Sequence, residues 1–154
     1  MTAITLDEIK TQHTKLGQLI ASFEKTLLMT KHGIFLPEAN IEMEHGEEYA
    51  GMILGKDGAP SYHLILLPGE AASVTWQKAG EWTKDAGGEL PTRREQALLY
   101  ANLKEQFKEA WYWSSEQHAS VSDYAWSQDF SNGGQGYLLK YLELRARAVR
   151  RLAI

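Results

Sequence analysis

Residues 87–95 read Gly-Gly-Glu-Leu-Pro-Thr-Arg-Arg-Glu, a segment that closes one helix and opens the next. A glycine pair can adopt the left-handed conformation that terminates a helix. Leu90 precedes Pro91, so the chain there is extended. Thr92 followed by Glu95 is a capping box, in which each side chain satisfies a main-chain donor of the other residue. The segment therefore predicts a helix over 74–86, started by Ser73 or Thr75, with Val74, Trp76, Ala79 and Trp82 on its inner side. It also predicts a second helix from Thr92 through Ala97, Leu98, Leu99, Tyr100 and Leu103.

Strand-like runs flank this pair. Ile34–Leu36, Tyr49–Leu54 and Tyr62–Leu67 come before it, the last two separated by the Asp57-Gly58 turn signal. Trp111–Ser115, Tyr124–Phe130, Gln135–Leu142 and Arg145–Leu152 follow. Ser131-Asn132-Gly133-Gly134 predicts a hairpin turn, because Asn and Gly accept positive φ. The last run could also form a helix, but its hairpin context favours one strand, which places Ala146, Ala148 and Arg150 on one side. Arg145, Arg147, Val149 and Arg151 take the other. Helices interleaved with antiparallel hairpins predict an α+β domain.

Ahead of this domain, residues 6–29 follow a helical period. Leu6, His13, Ile20 and Leu27 occupy heptad a positions, and Ile9, Leu16 and Phe23 occupy d positions. Thr5 and Glu8 form a capping box at its start, and Gly33 is a stop signal. The division expected is a helix over 1–32 and a domain over 33–154. The stripe either packs on that domain or zips to copies of itself, so Leu6, Ile9, Leu16, Ile20, Phe23 and Leu27 are the oligomerisation candidates.

Composition removes several classes of function. The chain has no cysteine, which excludes disulfides, thiolate nucleophiles and cysteine zinc sites. Its net charge of −4 argues against a general nucleic-acid binder. The start has no secretory signal pattern, and no apolar run reaches the roughly 18–20 residues of a membrane span. A cytoplasmic protein, or one released by lysis, is expected. Acidic residues gather over 38–48 and arginines over 145–151, two oppositely charged stretches whose pairing the sequence leaves open.

The series Thr75-Trp76, Gly87 to Glu95, Tyr112-Trp113-Ser114-Ser115-Glu116, Tyr124-Ala125-Trp126 and Asp129-Phe130-Ser131-Asn132-Gly133 resembles a known pattern. It is similar to an uncharacterised bacterial and phage family typified by the C-terminal domain of the Legionella collagen-like protein. The closing Arg145-Ala-Arg-Ala-Val-Arg-Arg resembles that family's last strand. The likeness spans about residues 47–152. It implies a C-type-lectin-like fold, two helices packed around twisted antiparallel sheets, here preceded by an amphipathic helix. It also implies a phage or prophage protein. Related folds bind sugars, serve as phage receptor-binding proteins, or generate formylglycine. The Glu-Pro-Asn and Gln-Pro-Asp calcium motifs are missing, so a calcium-bridged sugar site is not expected. The formylglycine chemistry needs cysteines that this chain lacks.

No serine-hydrolase elbow, phosphate loop, zinc-protease helix or dinucleotide fingerprint occurs. The five histidines have no ligand spacing, so neither metal nor cofactor is expected. The resemblance implies that Trp113 and Trp126, which match structural positions of the family, belong to the core. The binding candidates are Trp111, Tyr112 and Tyr124 as outward aromatics, Glu116 and His118 in the polar stretch 116–123, and Asn132 in the hairpin turn. The function expected is a non-enzymatic binding module whose loops take a protein partner from host or virion. A structural homo-oligomer assembled by the N-terminal helix is the alternative. A carbohydrate binder and an enzyme of unknown reaction rank behind both.

Overall fold

Thr5 Oγ1 accepts from the Glu8 N–H, and Glu8 Oε2 accepts from the Thr5 N–H at 2.9 Å, so the first helix begins at the reciprocal cap its sequence predicts. The computed structural model describes residues 5–30 and 40–154, the side chains of 26–30 excepted. The predicted strand Ile34–Leu36, the stop at Gly33 and the side chain of Leu27 lie outside the described residues. The chain divides into two compact units, Met1–Glu38 and Ala39–Ile154. The first contains helix α1, Leu6–Thr30.

The second unit is α+β. Strands β1 (Glu48–Ile53), β2 (Tyr62–Leu66) and β3 (Ala71–Val74) lead into helices α2 (Trp76–Asp85) and α3 (Arg93–Leu103). Strands β4 (Trp111–Gln117), β5 (Tyr124–Asp129), β6 (Gln135–Leu139), β7 (Leu144–Ala146) and β8 (Val149–Ala153) complete it. One sheet has the order β1-β2-β8 and the other β3-β7-β4-β5-β6. All pairings are antiparallel except β4 with β7.

The inter-helix punctuation forms as its residues dictate. The Gly87 N–H donates to Lys84 O and the Gly88 N–H to Thr83 O, the paired bonds of a Schellman closure. Gly87 has φ +83°, which glycine adopts without strain. A Cβ on Gly88 would sit 2.6 Å from both Leu67 Cδ1 and Val149 O, so the helix end packs flush on the three-stranded sheet. Thr92 and Glu95 exchange both capping-box bonds.

Three expectations are corrected. Val74 belongs to strand β3 rather than to a helix. Thr75 occupies the N-cap position of α2 but its side chain makes no capping bond, and Ser73 bonds Glu143 instead. The run 145–152 is two strands, because the chain leaves one sheet at Ala146 and enters the other at Val149. Arg147 at the crossing is buried, its guanidinium donating to Gln106 O and Leu67 O. The crossing puts Ala146, Arg147, Ala148 and Val149 all inside, which no two-residue period predicts.

Two apolar clusters fill the domain. Tyr112 from β4 and Phe130 just after β5 cluster with Leu99 of α3 and with Leu64, Leu66 and Val149 of the three-stranded sheet. Trp113 lies with Ala71, Ala79, Leu90, Ala125 and Ala146 under α2. Adjacent residues of β4 thus supply opposite faces. The charged stretches also meet. Arg150 binds Glu47 through Nε at 2.6 Å and Nη2 at 2.7 Å, and donates to Glu42 O.

Candidate recognition surface

Strands β4, β5 and β6 position an aromatic surface beside the start of α3. The β5–β6 register pairs Trp126 with Tyr137 and Tyr124 with Leu139, so Tyr124, Trp126 and Tyr137 share one face. On β4 the register shifts between Trp113 and Gln117. Such an irregularity re-aims the following side chains. His118 joins Trp126 and Tyr137 beyond it, its ring 5.8 Å and 4.5 Å from theirs. Tyr137 meets Tyr124 edge-on at 5.6 Å and Trp126 edge-on at 5.3 Å. Tyr137 is 50% exposed, while His118, Tyr124 and Trp126 are half-buried.

Arg93, the first residue of α3, lies over the Trp126 ring at 3.5 Å from its centroid. Its Nε donates to Gln135 Oε1 at 3.2 Å, and its carbonyl accepts from Gln135 Nε2 at 2.7 Å. Glu116 Oε1 accepts from the Arg93 N–H at 2.8 Å, placing a carboxylate on the positive end of α3. Among the described residues no carboxylate lies within ion-pair distance of the Arg93 guanidinium. His118 Nδ1 accepts from the Ser120 and Val121 N–H groups, both at 3.3 Å, so the neutral ring carries its proton on Nε2.

Of the predicted binding residues, the structure brings Glu116, His118 and Tyr124 together and leaves three elsewhere. Tyr112 is a core residue, 1% exposed. Its hydroxyl donates to Glu70 Oε2 at 2.5 Å and accepts from the Lys108 N–H. Burial and then the Glu70 bond push the phenol up to about 12. Trp111 occupies the opposite sheet face, its ring close against Gly136. Asn132 is committed to its turn: Oδ1 accepts from the Gly134 N–H and Nδ2 donates to Asp129. Trp126, assigned to the core by its motif, is instead the half-buried centre of the surface. Tyr137 and Arg93 were missed. The Asn-Gly turn held the signal for Tyr137, because the hairpin register it sets puts residue 137 opposite 126.

On the α2 side of the same sheet runs an open groove of about 830 Å³, with Trp76, Glu81, Lys84, Glu89, Lys140 and Tyr141 among its walls. It is lined by no histidine, so it offers no imidazole base beside its carboxylates. His63 is buried in β2 with Nδ1 2.9 Å from the Tyr49 hydroxyl. Among the described residues, no group of three or more acidic or histidine side chains is placed to hold a metal. No helix among them is long and apolar enough to cross a membrane.

Comparison with protein-family models gives no match, and no curated protein matches the chain.

Proposed function

We propose that this chain is a non-enzymatic binding module of phage or prophage origin that recognises a protein partner through the aromatic face of β4, β5 and β6. The observation that carries it is the partly exposed cluster of His118, Tyr124, Trp126 and Tyr137 with Arg93 stacked on it. Trp, Tyr and Arg are the residue types in which binding energy at protein interfaces concentrates. A C-type-lectin-like scaffold is the finer reading of the fold. It is supported by the order of the sequence motifs, by two helices on antiparallel sheets, and by the last strand returning to pair with β2. Binding on such scaffolds resides in surface elements that the core holds rigid.

The test compares host-lysate capture by the wild type and by Tyr137→Ala, with the captured protein identified and its affinity measured. Tyr137 is half exposed, so its loss should leave stability within about 0.5 kcal/mol. Affinity should fall about tenfold or more. A variant that binds the same partner equally well would remove this surface as the site.

One observation favours the second reading, a structural oligomer. The stripe of α1 is exposed, Ile20 by 50% and Phe23 by 67%, with Leu6, Ile9 and Leu16 between them in value. A single helix cannot cover its own apolar seam, and three heptads suffice for a coiled coil. Sedimentation of the wild type should show a multi-subunit mass and Ile20→Asp a monomer. A wild type that stays monomeric at high concentration excludes the zipper.

A further inference from the structure

We infer that the group recognised at the centre of this surface is a carboxylate carried by an acidic segment of the partner protein. The inference rests on the binding reading above and specifies its chemistry. The surface is rich in donors and poor in acceptors. Glu116, the carboxylate in contact with residue 93, is already taken by the Arg93 N–H. The Arg93 guanidinium is held in place from two directions, by the Trp126 face and by Gln135 Oε1. Its two terminal nitrogens, on the side away from Nε, have no hydrogen-bond partner among the described residues. A planar guanidinium fixed in this way presents the paired N–H fork that matches a carboxylate's two oxygens.

Other donors border it. His118 presents Nε2–H, because Nδ1 is occupied by two main-chain donors. The hydroxyls of Tyr124 and Tyr137 make no hydrogen bond to the described residues. The Glu116 carboxylate is turned to the Arg93 main-chain N–H, while the Arg93 guanidinium has no carboxylate within ion-pair distance among the described residues, so the charge left to be matched at the cluster is positive. The aromatic rings lower the local dielectric and strengthen a charge-assisted bond made there. Because the fork is already oriented, little side-chain entropy remains to be lost on binding.

The decisive probes are two capped tripeptides, acetyl-Asp-Trp-Asp-amide and its Asn-Trp-Asn counterpart, titrated into the full chain. The signals followed are the Trp126 indole N–H and the His118 ring protons by NMR. The acidic peptide should shift both signals saturably and bind at least about fivefold tighter than the amide peptide. Arg93→Gln should abolish that preference. Arg93→Lys should retain only part of it, because the charge remains but the fork is gone. Both variants keep the main-chain bonds of residue 93 to Glu116 and Gln135. Equal binding of the two peptides, or an acidic preference that survives Arg93→Gln, overturns the inference. So does inorganic phosphate binding tighter than the acidic peptide, which would reassign the fork to a phosphoryl group. If the peptides bind equally while Tyr137→Ala still loses the captured partner, the surface stands and only the carboxylate assignment fails. If Tyr137→Ala changes neither, the surface itself fails.

Discussion

Replacing Glu95 with Ala is expected to destabilise the domain by about 3–5 kcal/mol, the cost of removing one partner from a buried ion pair. Glu95 is 0% exposed and sits where α3, β2 and β8 meet. Its carboxylate accepts from Arg151 Nε at 2.6 Å and Nη2 at 2.9 Å, from the Tyr62 hydroxyl at 2.8 Å and from the Thr92 N–H at 2.7 Å. Alanine leaves Arg151 with only Glu89, whose side chain is largely in solvent, and removes one of the two capping-box bonds of α3, that to the Thr92 N–H. Against a typical domain stability of about 5–15 kcal/mol, the loss is a large share. Urea unfolding should show a lower midpoint at unchanged slope.

Acid should mimic this loss. Burial alone would raise the Glu95 carboxyl, but the hydrogen bonds from Arg151, the Thr92 N–H and Tyr62 outweigh it and hold the group below its ordinary value of 4.5. A carboxyl whose folded value is lowered adds stability that is fully present above its unfolded value. That stability is lost as pH falls through the folded one. The gap between wild type and Glu95→Gln should therefore be widest near neutrality and narrow below about pH 4.5. A gap of constant size from pH 7 to pH 3 would show that the carboxylate charge is not its source.

Trp113→Ala should cost a similar amount, about 3–5 kcal/mol, by a different route. Trp113 is 0% exposed, and the buried residues around it are Ala71, Ala79, Leu90, Ala125 and Ala146. Four of these five are alanines, which cannot extend into the space a lost indole leaves. The indole N–H also donates to Val74 O at 2.9 Å, so the substitution frees a carbonyl of β3. Trp113→Phe keeps most of the volume and should lose about 1–2 kcal/mol, chiefly for that bond. Trp126→Ala is the internal comparison. Its ring lies at the surface under Arg93, so its effect should appear in binding more than in thermal unfolding. Equal destabilisation by the two alanine variants would contradict the division into core and surface tryptophans.

Much of the fold was legible because its decisive signals are local. The glycine pair at 87–88, the Thr92–Glu95 and Thr5–Glu8 boxes and the Asn132-Gly133 turn each close their hydrogen bonds within a few residues. No distant partner is needed to make them. Less was legible in the candidate site. Glu116, His118 and Tyr124, singled out from a polar stretch and an aromatic strand, lie together at the proposed surface. Tyr112 passed for a surface residue because alternation along β4 does not say which face a helix covers, and α3 with β1 and β2 covers that one.

Residues of one chemical type were sorted differently by their surroundings. Glu95 and Gln96 look like the exposed first turn of an amphipathic helix, yet both are fully buried. Glu95 is inside because Arg151, 56 residues away, supplies the countercharge. Gln96 is inside because its Nε2 bonds the carbonyls of Tyr112 and Trp113. Arg147 is buried where the chain changes sheets, and Arg93 is left unpaired on Trp126.

By itself, then, the sequence determined the cap of α1, the turn and cap between α2 and α3, the Asn-Gly hairpin turn, and that the chain is α+β, because those choices follow from φ preferences and short-range hydrogen bonds. Which charges are buried in pairs, which tryptophan is core, and which guanidinium stacks on a ring without an ion pair among the described residues were decided only by the tertiary structure. Each depends on desolvation by residues remote in the chain, and desolvation is a property of the packed whole.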